Sequence, residues 1–107
     1  MTTSDADVLK QIDTTLEALV ETLDALDHQA FDVDCGDGKL TFEFEDGVVF
    51  IVNRQAAASQ IWLAEPRGGW HFDWDGAAWH CDKRGVELLE TLEGLLADKL
   101  GEQIVLR

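Results

Sequence analysis

Basic residues are scarce in this 107-residue chain, where eight Lys and Arg stand against 22 Asp and Glu and leave a formal net charge of −14. Residues 1–47 hold thirteen of the acids but only Lys10 and Lys39 as bases, a net charge of −11. A field of this sign repels nucleic acids and anionic lipids, because phosphate groups are also negative. It attracts cations and basic protein surfaces. The charge therefore predicts no nucleic-acid partner, no membrane partner and a cationic ligand or protein instead.

Cysteines and long apolar runs are also few. Cys35 and Cys81 are the only two cysteines and no CxxC motif occurs, so the chain has no disulfide framework and suits a reducing compartment. No stretch approaches the roughly 18 apolar residues of a membrane span. The first ten residues, MTTSDADVLK, lack the apolar core of a secretory signal. We predict a cytoplasmic protein with one domain over residues 1–107, since 46% of its residues are hydrophobic.

Motifs of catalysis are missing as well. The sequence contains no GxSxG, HExxH or Cys/His triad pattern. His80, Cys81 and Asp82 are adjacent, but neighbouring residues of a strand point to opposite faces, so His80 and Cys81 should not converge. Catalytic carboxylates need a pocket that shifts their pKa values, whereas the acids of this chain are expected to be solvated. The sequence predicts a protein that is not an enzyme.

Hydrophobic periodicity predicts a helix at each end of the chain. Steps of three and four residues over 8–26 indicate an amphipathic helix that ends near His28, with its apolar face formed by Val8, Ile12, Leu16, Leu19, Leu23 and Leu26. A second helix is predicted to start near residues 83–85. Its expected buried face is formed by Val86, Leu89, Leu92, Leu95 or Leu96, and Leu100.

Five or six short strands lie between the helices, joined by turns such as CGDGKL, EDGV and PRGG. Phe31, Val33 and Cys35 alternate with acids, and the run at residues 48–53 is apolar on both faces, as in a central strand. Such short turns join antiparallel strands, because parallel pairs need long crossovers. We predict an α+β fold in the order α-β-β-β-β-β-(β)-α, with both helices on one face of a single antiparallel sheet and the other face partly open.

Acids cluster along the first helix and the first strand. On a helical wheel Asp13, Glu17, Glu21 and Asp24 fall within about 80°, beside the apolar stripe. Carboxylate oxygens suit hard cations such as Ca²⁺, Mg²⁺, Mn²⁺ and iron. The absence of a closed cage predicts weak, exposed and unselective sites. We call the predicted metal-binding set the acidic ridge, and its eight members are Glu17, Glu21, Asp24, Asp27, Asp32, Asp34, Asp37 and Glu43.

The open sheet face is expected to carry Asn53, Gln55, Gln60, Trp62 and His71. An outward Trp among amides is a candidate contact for a partner protein, since Trp is enriched at interface hot spots. The alternative is that Trp62 only covers the sheet.

Several motifs of the chain are similar to those of the frataxin family in its bacterial form. They are residues 32–35 (DVDC), 53–55 (NRQ), 60–64 (QIWLA), Gly68 and Gly69, 71–73 (HFD), Trp79, 81–82 (CD) and 101–107 (GEQIVLR). The similarity covers essentially the whole chain and the order of its elements. The proline usual after the NRQ segment is replaced here by three alanines at 56–58.

The resemblance implies two helices on an antiparallel sheet and an iron-binding role in iron–sulfur cluster assembly. It implies that Fe²⁺ or Fe³⁺ binds Glu21, Asp24, Asp27, Asp32 and Asp34, while Glu17, Asp37 and Glu43 are added from geometry. It implies a monomeric modulator of the cysteine desulfurase and scaffold complex, with iron-dependent oligomers and other divalent cations left open. The partner contacts are expected at Glu21, Asp24, Asn53, Gln60 and Trp62. Two further hypotheses are a metal-independent acidic interaction module and a ferroxidase.

Overall fold

The computed structural model describes residues 5–26, 28–83 and 85–106. Two helices flank six strands along the chain. The elements are α1 (Asp5–Leu26), β1 (Phe31–Gly36), β2 (Lys39–Phe44), β3 (Val49–Gln55), β4 (Gln60–Glu65), β5 (Gly68–Trp74), β6 (Trp79–Cys81) and α2 (Leu88–Leu100). A single 3₁₀ turn at Ala56–Ala58 connects β3 to β4, where the three alanines replace the expected proline.

Helix α1 is amphipathic as its spacing predicts. Its 22 residues span about 33 Å at 1.5 Å per residue. Val8, Ile12, Leu16, Leu19 and Leu23 are buried against the sheet, and Leu26 is partly buried at the end of the same stripe. The predicted apolar face is therefore confirmed, and the side of the helix next to it is left for charged residues.

The six strands form one antiparallel sheet in sequential order, β1 to β6. Each neighbouring pair is a hairpin, as the short turns predict. Asp37 and Gly38 have φ values of 52° and 72°, the signature of a type I′ turn that fits the twist of β1 and β2. A Cβ added to Gly38 would lie 3.1 Å from the Cβ of Arg54, so glycine is favoured here on both grounds.

The sheet buries one face under the helices and leaves the other partly open. The buried face holds alternate residues of the strands, namely Phe31, Leu40, Phe42, Phe44, Phe50, Val52, Ile61, Leu63, Phe72, Trp79 and Cys81. Strand β3 pairs on both sides, which confirms the predicted central strand. Cys35 was expected on the buried side but is exposed, because it lies at the end of the edge strand β1.

Helix α2 starts later than its sequence pattern indicates. The backbone carbonyl of Val86 accepts a hydrogen bond from the Cys81 N–H at 2.7 Å, and His80 bridges to Glu87 in the manner of a strand. Glu87 then caps the helix, since its carboxylate accepts the N–H groups of Leu89 and Glu90. Val86 consequently lies outside the helix and is exposed, whereas the predicted core positions Leu92, Leu95 and Leu96 are buried.

The last residues fold back onto the core. Ile104 and Leu106 are buried, and the Leu106 N–H donates to Glu93 Oε2 at 2.6 Å. At the end of α2, Lys99 pairs with Asp46 of the β2–β3 turn. Within residues 5–26, 28–83 and 85–106, no helix combines the length and apolar character that crossing a bilayer requires. The predicted class, two helices on one face of an antiparallel sheet, is confirmed.

Candidate functional site

The helical part of the acidic ridge lies beside the buried stripe of α1. Glu17, Glu21 and Asp24 are all exposed, and their spacing of four and three residues places them on adjacent turns of one helix side. Asp13, which the helical wheel groups with them, is different. Its Oδ1 lies 3.0 Å from Nε of Arg54, so its charge is compensated by a base from β3. The uncompensated row of acids on α1 therefore begins at Glu17.

The strand part of the ridge lies on β1, β2 and the turn between them. Asp32 is directly opposite Glu43, and Asp34 is opposite Thr41, so these acids share the open face of the sheet at its edge. The side chains of residues opposite one another in such a pair have Cβ atoms about 4.5–5.5 Å apart. Asp37 occupies the turn in a left-handed conformation. All four acids are exposed.

Helix α1 runs alongside this edge, so the two groups of acids meet. Asp24 and Asp32 line the same small surface depression of about 160 Å³ together with His28. Glu17 and Glu21 line a second depression of about 510 Å³, whose opposite wall is the β1–β2 hairpin with Lys39. The structure therefore brings Asp24 of the helix beside Asp32 of the strand, while Asp34, Asp37 and Glu43 line neither depression. Asp27, the remaining predicted member, lies outside the described residues.

These seven acids lack basic partners among the residues with described placement. No Lys, Arg or His nitrogen of that part of the chain lies within 4.0 Å of any of their carboxylate oxygens. The ion pairs lie elsewhere and hold Asp13, Asp46, Glu65, Asp75, Asp98 and Glu102. Lys39, in the same hairpin as Asp37 and Glu43, forms no ion pair with any of these seven acids. The surface keeps its negative charge facing water.

The arrangement of the ridge is open. Over the described ranges, no three His, Cys, Asp or Glu side chains come together closely enough to hold one metal ion. Cations would meet one or two carboxylates at a time, with water completing the coordination of a hard ion. The ridge can therefore concentrate cations, and a closed chelating site would require side chains to move.

The second predicted surface lies on the open face of the sheet. Asn53 of β3 is directly opposite Trp62 of β4, and all three predicted residues, Asn53, Gln60 and Trp62, are half-buried. The Trp62 indole Nε1–H donates to Gln60 Oε1 at 2.8 Å. Its ring stacks on the imidazole of His71, with centroids 4.2 Å apart and an interplanar angle of 14°. Trp62 is thus held in one orientation on an accessible face.

Asp73 and Asp82 also belong to this face and are not among the residues predicted from the sequence. Gln60 Nε2 donates to Asp73 Oδ1 at 2.9 Å and to Asp82 Oδ2 at 3.4 Å. The contact with Asp73 can be predicted from the sequence, because the Pro66–Arg67 turn between β4 and β5 fixes a register in which Gln60 lies opposite Asp73. Asp82 follows β6, and its approach to Gln60 depends on tertiary structure.

The adjacent His80 and Cys81 do not converge. Cys81 is buried in the core, while His80 points outward with Nε2 3.0 Å from Asp75 Oδ2. The backbone N–H groups of Ala78 and Ala77 donate to Asp75 and, with a smaller contribution from His80, hold the pKa of its carboxyl below the ordinary value. The buried Cys81 and the outward His80 confirm the opposite orientations expected of neighbouring strand residues.

The strand acids of the ridge and Trp62 lie on the same open face of the sheet, whereas the helix acids lie at its β1 edge. Glu21 and Asp24 project from α1 at the β1 edge, whereas Trp62 lies on β4, three strands further into the sheet. The predicted partner contacts therefore form two groups, the helix acids at the β1 edge and the residues around Trp62 on β3 and β4.

Comparison with known proteins finds similarity over nearly the whole chain. A family model described as a frataxin-like domain matches residues 1–102. The iron–sulfur cluster assembly protein CyaY of Thioalkalivibrio sulfidiphilus is 48% identical over 93 residues, which cover 84% of this chain and 87% of that protein. CyaY of Dechloromonas aromatica is 43% identical over 99 residues, covering 92% and 88%.

Solved structures of frataxins also match the fold over most of the chain. Frataxin from Psychromonas ingrahamii superposes with a TM-score of 0.88 at 27% identity, covering 98% of this chain and 99% of that one. Trimeric frataxin from the yeast Saccharomyces cerevisiae, in complex with ferrous iron, superposes with a TM-score of 0.65 at 27% identity, covering 95% and 90%.

Proposed function

The chain belongs to the frataxin-like family, and on that premise we propose that it takes part in iron–sulfur cluster assembly as an iron-binding modulator. Relatives named CyaY are assembly proteins, and a yeast frataxin with the same fold was crystallised with ferrous iron. The observation that carries the proposal is the acidic ridge, whose seven described carboxylates face water with no basic partner among the described residues.

Iron is the cargo in this proposal, and the ridge supplies its ligands. Fe²⁺ and Fe³⁺ accept hard oxygen donors, and the negative field raises their local concentration. Each bound ion would use one or two carboxylates, and the pairs that share a depression are Asp24 with Asp32 and Glu17 with Glu21. The open geometry supports weak sites that load and release iron, and other divalent cations would compete.

An NMR titration tests the binding site. Anaerobic Fe²⁺, or Co²⁺ as a stand-in that resists oxidation, should perturb backbone signals of residues 17–37 and the Glu43 region. Glu21→Gln with Asp24→Asn should weaken the effect on residues 17–32. The matched control is Glu90→Gln with Asp98→Asn, which removes the same charge from exposed positions of α2, away from the ridge. Unchanged signals over residues 17–37 in the wild type would refute iron binding at the ridge.

The partner in this proposal is the cysteine desulfurase and scaffold complex. The ridge would dock on a basic patch of the desulfurase, where complementary charge steers association. The surface around Trp62 would contact the same complex, since the strand acids of the ridge share its open face of the sheet. Iron and the desulfurase would then compete for Glu21 and Asp24, which would make cluster assembly respond to iron. A pull-down with the purified complex, with and without Fe²⁺, measures this coupling.

A second candidate is a protein-interaction module that works without metal. The open arrangement of the ridge supports it, because steering needs charge but no convergent ligands. Charge reversal separates the two functions. If Glu21→Lys with Asp24→Lys abolishes partner binding and leaves iron uptake unchanged, the acids serve docking and the metal role is secondary. The control Glu90→Lys with Asp98→Lys changes net charge equally at exposed positions of α2 and should retain docking.

We propose that the chain is not an enzyme, and the ferroxidase hypothesis gives this a direct test. A ferroxidase would oxidise Fe²⁺ with O₂ over many turnovers, and Asp→Asn changes at Asp24 and Asp32 would abolish that activity. Turnover that stops at the stoichiometry of bound iron fits a binding protein. The same samples, measured by sedimentation with and without iron, test the expectation of a monomer.

A further inference from the structure

The Trp62 side chain is fixed on two sides by named contacts. Its Nε1–H donates to Gln60 Oε1 at 2.8 Å, and its ring lies on His71 at a centroid distance of 4.2 Å. Both contacts lie on the open face of the sheet, and with them in place Trp62 is still only half-buried. The orientation of Trp62 thus depends directly on the orientation of the Gln60 amide.

The Gln60 amide is itself fixed by two carboxylates. Its Nε2 donates to Asp73 Oδ1 at 2.9 Å and to Asp82 Oδ2 at 3.4 Å, while its Oε1 accepts from Trp62. A flipped amide would place Oε1 against two anionic oxygens and the NH₂ group against the indole N–H, so every one of these contacts would be lost. The carboxylates therefore select the single amide orientation that presents an acceptor to Trp62.

The two acids reach Gln60 from different strands. Asp73 on β5 is the residue directly opposite Gln60 of β4. Asp82 follows β6, and its backbone N–H donates to the His71 carbonyl oxygen at 3.0 Å. Asp82 is thereby anchored to the same residue whose ring stacks on Trp62. Three consecutive strands contribute to one chain of contacts that ends at the indole.

We propose that Asp73 and Asp82 are positioning residues that act through Gln60 to hold Trp62 in the orientation in which it binds the partner protein. This inference rests on the proposed partner role of this face. Motif residues 73 and 82 thereby gain a role that is separate from the negative charge of the acidic ridge. A side chain ordered before binding loses less conformational entropy in the complex. Removing both acceptors should therefore weaken the affinity for the partner complex by about threefold to tenfold.

The experiment compares two variants of equal charge in the full chain. Asp73→Ala with Asp82→Ala removes both acceptors, whereas Asp73→Asn with Asp82→Asn removes the same charges but keeps an amide oxygen at each position. The first readout is the Trp62 Nε1–H NMR signal of the free protein, assigned with Trp62→Phe. The second is the Kd for the purified desulfurase and scaffold complex.

The Ala pair should shift the Trp62 Nε1–H signal, speed its hydrogen exchange and weaken binding, while the Asn pair should stay near wild type in all three. Asp73→Ala alone should have the larger effect of the two single changes, since its contact is shorter by 0.5 Å, at 2.9 against 3.4 Å. Equal loss of binding in both pairs would overturn the proposal and assign the acids to direct charge contact. An unmoved Nε1–H signal in the Ala pair would overturn it as well.

The two proposals fail separately. If the wild-type chain does not bind the partner complex, the proposed function is wrong, whereas the Nε1–H signal of the free chain still reports whether the two acids position Trp62. If the wild type binds and the Ala pair binds equally well, positioning has no role in docking.

Discussion

Neutralising two acids of the ridge should stabilise the protein. Glu21 has like-charged neighbours at Glu17 and Asp24, four and three residues away on α1, and each such pair costs about 0.2–0.5 kcal/mol. Asp32 faces Glu43 across the β1–β2 pair, where like charges oppose each other at a cost of about 0.2–1 kcal/mol. Glu21→Gln with Asp32→Asn should therefore raise the free energy of unfolding by roughly 0.6–2 kcal/mol.

For a domain of this size the gain corresponds to a rise in Tm of about 2–8 °C. Thermal unfolding followed by circular dichroism at about 0.01 M salt measures it, because the Debye length there is about 30 Å. At about 1 M salt the Debye length falls to about 3 Å, and the difference from the wild type should shrink.

Asp13→Asn is the matched control, since it removes one negative charge from the same helix. Asp13 is paired with Arg54, whose Nε is buried and has no hydrogen-bond acceptor with good geometry. Loss of this pair should lower the stability by about 0.2–1 kcal/mol, in the opposite direction to the ridge variant. If the ridge variant is no more stable than the wild type at low salt, or if both variants gain equally, repulsion within the ridge is not what limits stability.

Three further predictions concern contacts outside the ridge. The hydrogen bond from Lys99, followed by that of the Val48 N–H, lowers the pKa of Asp46 below the ordinary value of 3.8. The stability that the Asp46 carboxylate contributes is therefore fully present above pH 3.8 and is lost as the pH falls through the lower pKa of the folded state. Asp46→Asn should thus reduce stability more at pH 7 than at pH 2, as measured by urea unfolding. Thr15→Val removes the acceptor of the buried Trp79 Nε1–H, 2.9 Å away, and should cost about 1–3 kcal/mol in the same assay, whereas Thr14→Val should cost less. Glu87→Ala removes the cap of α2 and should cost about 1 kcal/mol, and an unchanged urea midpoint would contradict the capping role.

Much of the fold follows from local sequence patterns. The steps of three and four residues from Val8 to Leu23 define the buried face of α1, and strict alternation at Leu40, Phe42 and Phe44 defines that of β2. Short turns then fix sequential antiparallel pairing, as at Asp37 and Gly38. These signals involve residues close in sequence, which explains why the architecture can be predicted without coordinates.

The features that sequence reasoning missed depend on contacts that local periodicity does not encode. Val86 continues the apolar spacing of α2, yet its carbonyl bonds to Cys81, and this strand-like bridge delays the helix. Asp13 fits the helical row of acids, but Arg54 reaches it from β3. Asp82 joins Gln60 only through the folded sheet. The position of the ridge acids was predictable from helix and strand periods, while their role as iron ligands stays a prediction.

Strand β1 has a pairing neighbour on one side only, so the backbone groups along its outer side have no further strand to bond. Asp32 and Asp34 stand on that border, and repulsion between identical borders keeps two molecules from extending their sheets into each other. A cation held there would cancel the repulsion. The fraction of neutralised carboxylates would then also set how closely one molecule can approach the next.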